Sequence, residues 1–207
     1  MPGVVHMQGN DIANYCIQEL LKDGRTVTIR AIRPDDKGRV TDAIREISSE
    51  SLYRRTFSAK RDLSDHELRQ MTEVDFDNIV ALVAVMKDAE QDQIVGGGRY
   101  IRTDDAAASK AEVAFLIDDA HQGHGIGSCI FRHLVSLAHS AGIMTFEAEV
   151  LPSNDGMLRL FDRSGLRVAK TRTRDSVHVT IDLTSTGKGG QQTHDGPDVP
   201  NTSGEQS

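Results

Sequence analysis

Gln122-Gly123-His124-Gly125-Ile126-Gly127 stands between a short apolar run that ends at Ile117 and a segment with helical periodicity. Its three glycines carry no Cβ atoms, so consecutive backbone N–H groups can come close to an anion. The helix that follows would direct its N-terminus, with its unpaired N–H groups, at the same anion. The stretch therefore predicts a phosphate-binding turn between a strand and a helix.

Two common nucleotide-binding motifs do not fit this turn. A dinucleotide-binding GxGxxG motif that starts at Gly125 requires glycine at the position of Ile130. A P-loop requires Gly-Lys followed by Ser or Thr, but Gly187-Lys188 is followed by Gly189. The glycine turn therefore belongs to neither of these two classes.

Periodic segments before the turn predict alternating strands and helices. Alternating residues predict a strand over Val27–Arg33, and helical spacing follows Pro34-Asp35-Asp36. Glu50–Phe57 is predicted to be helical, and Ser64-Asp65-His66-Glu67 has the sequence of a capping box before another helix. The remaining predicted elements are a hairpin of Ile79–Met86 with Ile94–Ile101, a strand at Glu112–Ile117, a helix ending at Gly142, a strand at Thr145–Leu151, a helix at Asn154–Ser164, and strands at Arg167–Thr171 and Val177–Leu183.

The element order predicts one α/β (α+β) domain over residues 23–184. Residues 1–22 are assigned to an N-terminal segment with a short helix. Residues 185–207 are assigned to a disordered polar tail, because Val199 is their only large aliphatic residue. Within the domain, Gly96-Gly97-Gly98 is interpreted as a bulge or a close backbone approach.

Composition excludes several classes of partner. A net charge of −7, without a basic stripe interleaved with aromatic residues, argues against nucleic acid. No apolar run reaches about 18 residues and no secretory signal is recognisable, so we expect a cytoplasmic protein without membrane contact. Cys16 and Cys129 lack a CxxC context, and His121 and His124 lie on or beside a glycine turn without an acidic or Cys cluster. We therefore predict no metal site.

The turn matches the [QR]xxGxG loop of the GNAT acetyltransferase superfamily. Downstream, Asn154–Leu166 resembles the family's NxxAxxLYxxxGF pattern, with Phe161 where many members carry Tyr. The order of elements from Val27 to Leu183 is also similar. The resemblance implies a single GNAT domain with a mixed, mostly antiparallel sheet flanked by helices, whose splayed strands hold acetyl-CoA as the co-substrate.

Four further segments resemble the Pat type of bacterial protein-lysine acetyltransferase. They are Asp23-Gly24-Arg25, Ile29–Asp36, Ser51–Arg55 and Ala111–Phe115. This resemblance implies a protein partner with an acceptor lysine, and an acyl-CoA synthetase is the first protein to examine.

The resemblance also implies where acetyl-CoA binds. Its pantetheine would use the backbone of one strand, its pyrophosphate would lie on the amides of the glycine turn, and Asn154 would contact the cofactor. The implied cofactor-binding residues are Phe115, Leu116, Ile117, Gln122, Gly123, His124, Gly125, Ile126, Gly127, Ser128 and Asn154.

Acetyl transfer to an amine requires a base, because a lysine ammonium has an unperturbed pKa of about 10.4. Glu112 is the candidate. Strand alternation places it on the face of Ala114 and Leu116, where an apolar setting would raise the pKa of its carboxyl. By resemblance, Glu112 also occupies the position of the family's catalytic glutamate. Glu149 on the next strand is the second choice.

Phe161 cannot protonate the departing thiolate as a tyrosine would. Either water protonates it, or it leaves unassisted, since a thiol pKa near 8.5 makes a tolerable leaving group. Two alternatives stay open, namely a small-molecule amine N-acetyltransferase and a CoA-binding regulatory module without catalysis. Glu112 speaks against the second alternative and Phe161 speaks for it. The sequence does not specify the oligomeric state.

Overall fold

The computed structural model describes residues 9–48, 62–87, 91–103 and 109–186. The helices are α1 (Gly9–Ala13), α2 (Lys37–Glu46), α3 (Asp65–Thr72), α4 (Ile126–Ser140) and α5 (Asp155–Asp162). The strands are β1 (Cys16–Leu20), β2 (Thr26–Ala31), β3 (Ile79–Lys87), β4 (Asp92–Arg102), β5 (Lys110–Ile117), β6 (Thr145–Val150), β7 (Leu166–Arg172) and β8 (Val177–Thr186).

The eight strands of the described residues form one sheet in the order β1-β2-β3-β4-β5-β6-β8-β7. Neighbouring strands are antiparallel except β5 and β6, which run parallel. The predicted mixed, mostly antiparallel sheet is therefore confirmed. Glu50–Phe57 lies outside the described residues, as does the predicted tail beyond Thr186.

Local sequence signals account for the helix ends. Ser64 Oγ accepts a hydrogen bond from the Glu67 N–H at 3.3 Å, while the Ser64 N–H donates to the Glu67 carboxylate at 2.8 Å. This reciprocal pair is the predicted capping box at the start of α3. At the end of α4, Gly142 has a φ of +76°, which favours glycine and stops the helix.

Residues 9–22 contain a strand as well as the predicted short helix. β1 pairs with β2 from Cys16 opposite Arg30 to Leu20 opposite Thr26, and so extends the sheet by one edge strand. Most of β1 is exposed, with only Glu19 partly buried. Because the strand lacks a buried face, its sequence shows no apolar alternation.

The three-glycine run is a site of close backbone approach, and a bulge at Val95 directly precedes it. The register between β3 and β4 shifts between Ala84 and Val85. A Cβ atom at Gly98 would lie 2.6 Å from Phe115 Cδ1 and 2.8 Å from Ile130 Cγ2. Glycine therefore lets β5 and α4 pack closely against β4.

Helices cover both faces of the sheet. One apolar cluster packs α4 and α5 against one face and contains Phe115, Ile130 and Leu134. The other packs α2 and α3 against the opposite face and contains Val40 and Ile44, and Leu116 of β5 packs against this cluster. Side chains of β5 therefore pack against helices on both faces of the sheet.

A buried ion pair fixes the start of α2. Arg30 donates two hydrogen bonds of 2.7 Å to the fully buried carboxylate of Asp36. The Arg33 N–H and Arg39 Nη1 also donate to it, at 2.9 and 3.1 Å. Burial is the largest single influence and acts to raise the pKa of Asp36. The hydrogen bonds and the charge of Arg30, together with the hydrogen bonds from Arg33 and Arg39, outweigh burial, and the pKa lies below its usual value.

Candidate functional site

β5 and β6 separate after a short parallel contact. Their pairing covers residues 110–112 of β5 and 145–147 of β6, whereas β5 continues to Ile117 and β6 to Val150. We call the space between the unpaired parts, residues 113–117 and 148–150, the β5–β6 gap. This is the strand splay that the resemblance implied, and the glycine turn follows it in the chain.

The backbone of β5 directs hydrogen-bonding groups into the β5–β6 gap. The Asp118 N–H donates to the Val95 carbonyl on the β4 side at 3.1 Å. Because successive residues of a strand direct their backbone groups to opposite sides, Phe115 and Ile117 direct theirs toward β6. A chain that contains amide groups can therefore bind along β5 in the manner of an added strand.

The glycine turn requires left-handed backbone at two positions. Gly123 has a φ of +80° and Gly125 a φ of +91°, and Gly125 precedes α4 without any side-chain cap. The first N–H groups of α4, at residues 126–128, are thus available to an anion. Glycine is needed at position 127 for packing, because a Cβ atom there would lie 2.8 Å from Leu160 Cδ1 on α5.

Replacing Gly125 by Ala tests the turn directly. A Cβ in left-handed backbone costs roughly 1–2 kcal/mol, and the strain moves the N–H groups that face the anion. We expect calorimetry to show that acetyl-CoA binds about tenfold more weakly. This is the effect of losing about one hydrogen bond to a charged group. Gly142→Ala is the matched control, because Gly142 has a similar φ of +76° at the other end of α4. Equal affinity of the two variants would contradict the assigned role of the turn.

Side chains of the glycine turn are held by acidic residues beside it. Gln122 Nε2 donates to the Asp119 carboxylate and contacts the Ile117 carbonyl at 3.4 Å. His124 Nδ1 lies 3.0 Å from Asp23 Oδ2. The side chains of Gln122 and His124 therefore stabilise the turn, and the backbone of the turn is left to bind an anion.

Asp23 connects the glycine turn to the loop between β1 and β2. It accepts hydrogen bonds from Arg25 Nη2 at 2.7 Å and from Arg25 Nε at 2.9 Å. These bonds, with a smaller contribution from His124, lower the pKa of Asp23 to about 2. Asp23 is therefore ionised at neutral pH and remains a partner for His124.

Sequence reasoning missed two acidic residues that precede the turn. Asp118 Oδ2 lies 2.6 Å from His121 Nδ1, and Asp118 is almost fully buried. Asp119 contacts Gln122 and also accepts a hydrogen bond from the Ser48 N–H at 3.0 Å, just beyond α2. The acidic pair ahead of a short helical turn was the available signal, but its connection to α2 depends on the tertiary fold.

Glu112 lies at the last paired position of β5, where the β5–β6 gap begins. It is opposite Ile101 on β4 and Glu147 on β6. Its side chain is exposed, so the apolar setting expected from the sequence is wrong for the described part of the chain. Lys110, two residues earlier on the same strand, binds Glu147 at 2.8 Å.

Glu149 is engaged elsewhere. Its carboxylate lies 2.7 Å from His178 Nδ1. Hydrogen bonds from Ser176 and His178 lower the pKa of Glu149. A lowered pKa makes a carboxylate a weaker base, which argues against Glu149 as a proton acceptor.

Asn154 and Phe161 both have structural roles in α5. Asn154 Oδ1 accepts a hydrogen bond from the Met157 N–H at 3.2 Å and caps the helix. Phe161 is fully buried, with its ring 6.3 Å from that of Phe115 and 5.6 Å from that of Phe131. Phe161 therefore anchors α5 in the core near β5 and offers no proton to a leaving group.

A polar network joins β1 to α4. His133 Nε2 lies 2.9 Å from Glu19 Oε1, and His133 Nδ1 contacts the Tyr15 hydroxyl. Donor atoms of Glu19, Cys129 and His133 lie within 4.8 Å of one another, a set of the kind that binds metals. Arg132 already supplies positive charge, since its Nη2 lies 2.8 Å from Glu19 and 3.6 Å from Cys129 Sγ. We assign these residues to a tertiary contact.

The fold and the β5–β6 gap agree with the family comparison. The Acetyltransferase (GNAT) family model matches residues 42–166, from α2 to the start of β7. The match spans more than half of the chain, so the chain belongs to this family. In the described residues, none of the helices has the length and apolar character needed to span a membrane.

Two curated relatives are similar to this chain over part of their length. The chain is 34% identical over 145 residues to acetyltransferase Pat of Mycolicibacterium smegmatis, which covers 70% of this chain and 42% of that protein. It is 30% identical over 124 residues to acetyltransferase PA5475 of Pseudomonas aeruginosa, covering 60% of this chain and 66% of that one. The chain thus spans less than two thirds of either relative.

Two solved structures share the fold of this chain. The GNAT domain of S. lividans PAT superimposes with a TM-score of 0.73 and 33% identity, covering 81% of this chain and 96% of that domain. The acetyltransferase yncA of Salmonella typhimurium, solved with acetyl-CoA, has the same fold with a TM-score of 0.60, at 19% identity and with 84% of this chain and 99% of that chain covered.

Proposed function

We propose that the chain transfers the acetyl group of acetyl-CoA to the side-chain amine of a protein lysine, with Glu112 as the general base. The observation that carries the proposal is the position of Glu112 at the head of the β5–β6 gap. The glycine turn lies beyond the other end of β5, so a pyrophosphate held there would place the thioester of an extended pantetheine toward Glu112.

The pyrophosphate and the pantetheine of the cofactor each have matching groups in the chain. The N–H groups of residues 126–128 suit the pyrophosphate, since a helix N-terminus favours negative charge. The backbone groups of Phe115 and Ile117 suit the amides of pantetheine, and Leu116 stands between them with its side chain on the opposite face. These assignments follow from backbone directions and need no basic side chain, in keeping with the net charge of −7.

The reaction is direct attack of the amine on the thioester. Glu112 takes a proton from the lysine ammonium, and the nitrogen lone pair forms a bond to the carbonyl carbon. A backbone N–H of β5 stabilises the negative oxygen that develops. The carbon–sulfur bond then breaks, and the attacking nitrogen releases its second proton to water, which leaves a neutral amide. Water protonates the thiolate, because Phe161 has no proton to give. Glu112 is exposed and returns its proton to solvent.

Two observations favour a protein acceptor over a small amine. The first is the 34% identity to Pat of M. smegmatis. The second is the open setting of Glu112, whose exposed carboxylate a side chain on another protein's surface can reach. We place the reaction in the cytoplasm, where acetyl-CoA and a protein acceptor such as an acyl-CoA synthetase are both present.

Incubation of a cell lysate with the enzyme and isotopically labelled acetyl-CoA tests the acceptor. We expect mass spectrometry to find labelled acetyl groups on lysines of one or a few proteins, with acyl-CoA synthetases examined first. The control is the same lysate without enzyme, since acetyl-CoA acetylates lysines slowly by itself. Labelled small amines without labelled proteins would contradict the lysine proposal. Binding of CoA without any transfer would favour a regulatory module.

A further inference from the structure

A cavity of about 280 Å³ lies between the sheet and the layer of α2 and α3. It is on the face of β5 opposite α4, and strands β3, β4 and β5 form its floor. Its apolar lining includes Val40, Ala43, Ile44, Met71, Val83 and Leu116. The proposed function uses only the neighbouring β5–β6 gap, so this cavity has no assigned occupant.

We propose that this cavity holds the acyl chain of the donor, so that the enzyme accepts acyl groups longer than acetyl. The inference rests on the proposed function, because it requires the thioester to lie along β5. The cavity and the β5–β6 gap share one strand, since Ala114, Phe115 and Leu116 line the cavity. A chain that continues beyond the thioester carbonyl therefore has a route from the gap into the cavity.

Small residues line the cavity beside β5. Ala114 lines it with only a methyl group. On the cavity floor, Gly97 presents no side chain, and it lies opposite Leu116 in the register of β4 and β5. A larger residue at either position would close the space beside the thioester.

The chemistry of the lining suits an alkyl chain and not an ammonium group. Among the described lining residues, only Arg99 and Asp118 carry charge. The Asp118 carboxylate contacts the His121 side chain, and Arg99 is exposed to solvent. A lysine ammonium would lose its hydration in this cavity without gaining a carboxylate, whereas methylene groups gain from burial. Glu112 lies on the same face of β5 as Ala114 and Leu116. The amine would therefore reach the thioester at the Glu112 end of the strand, beside the acyl chain in the cavity.

Calorimetry with acetyl-CoA, propionyl-CoA and butyryl-CoA tests the proposal without an acceptor. Each methylene that enters an apolar cavity raises affinity by up to about fourfold. We expect butyryl-CoA to bind several-fold more tightly than acetyl-CoA. Equal or weaker binding of butyryl-CoA to the wild-type protein would overturn the inference, and this comparison does not depend on any variant.

Ala43→Leu fills the cavity from α2 and sharpens the test. We expect it to remove the preference for butyryl-CoA while acetyl-CoA binds as in the wild type. Asp42→Leu places the same side chain on the exposed side of α2 and should keep the preference. If Ala43→Leu leaves the affinity series unchanged and instead raises KM for the protein acceptor, the cavity binds the acceptor and the inference is wrong.

The two proposals fail in different ways. The wild-type protein could fail to transfer an acyl group from any acyl-CoA to lysine and still bind butyryl-CoA more tightly than acetyl-CoA. This result would contradict the proposed function and support the acyl cavity. The protein could instead acetylate lysine but bind acyl-CoA more weakly as the acyl chain lengthens. This result would support the proposed function and overturn the acyl cavity.

Discussion

Glu112→Gln is expected to lower kcat/KM for acetyl transfer by roughly 10²- to 10⁴-fold, the usual contribution of a general base. The amide has nearly the shape of the carboxylate but cannot take a proton from the lysine ammonium. Steady-state kinetics with a lysine-containing protein or peptide measures the loss. Acetyl-CoA affinity should stay unchanged, because the proposed cofactor contacts are with the backbone of β5 and α4.

Glu149→Gln is the matched control for this prediction. It removes a carboxylate from the neighbouring strand β6, where Glu149 is already bound to His178. Activity of this variant should remain within a few-fold of the wild type. If Glu112→Gln kept full turnover from about pH 6 to 9 while binding acetyl-CoA normally, Glu112 would not be the base.

The largest expected loss of stability comes from Asp36→Asn. Asp36 is fully buried, and its substitution leaves the guanidinium of Arg30, itself only 7% exposed, without a counter-charge. Breaking a buried ion pair in this way costs about 3–5 kcal/mol. Chemical denaturation should show this decrease in the free energy of unfolding. Asp35→Asn changes the exposed neighbour and should stay within about 0.5 kcal/mol of the wild type.

The same pair predicts how stability depends on pH. The pKa of Asp36 is lowered in the folded protein, so its contribution to stability is present above the unfolded pKa of about 3.9 and is lost as pH falls through the folded value. Asp36→Asn should therefore flatten the acid side of the stability profile. An unchanged acid profile, or a loss of stability no larger than that of Asp35→Asn, would contradict the role given to this pair.

The sequence predicted the parts of the fold that local patterns encode. The glycine turn, the capping box at Ser64 and the helix stop at Gly142 each follow from the backbone needs of a few consecutive residues. The helical period of α4 was equally clear, because one of its faces is buried along its whole length. β1 was missed, since an exposed edge strand has no buried face to set an alternating pattern.

Contacts between distant segments could not be predicted in this way. Neither the link from Asp119 to Ser48 nor the pairing of His124 with Asp23 has a local sequence signal. The exposure of Glu112 depends on where β5 and β6 separate. Strand alternation alone predicts on which face of the sheet its side chain lies, but not whether that side chain is exposed. The cavity under α2 likewise results from the distance between a helix and a sheet, which side-chain sizes across the whole layer determine.

The central claim is that acetyl-CoA lies in the β5–β6 gap with its pyrophosphate on the start of α4. Residue-resolved amide hydrogen exchange, measured by NMR with and without acetyl-CoA, tests this most directly. We predict that acetyl-CoA slows exchange at Phe115 and Ile117 and at residues 126–128, with little change at β1 or β7. Saturating acetyl-CoA that leaves exchange at β5 and at the start of α4 unchanged would contradict the claim.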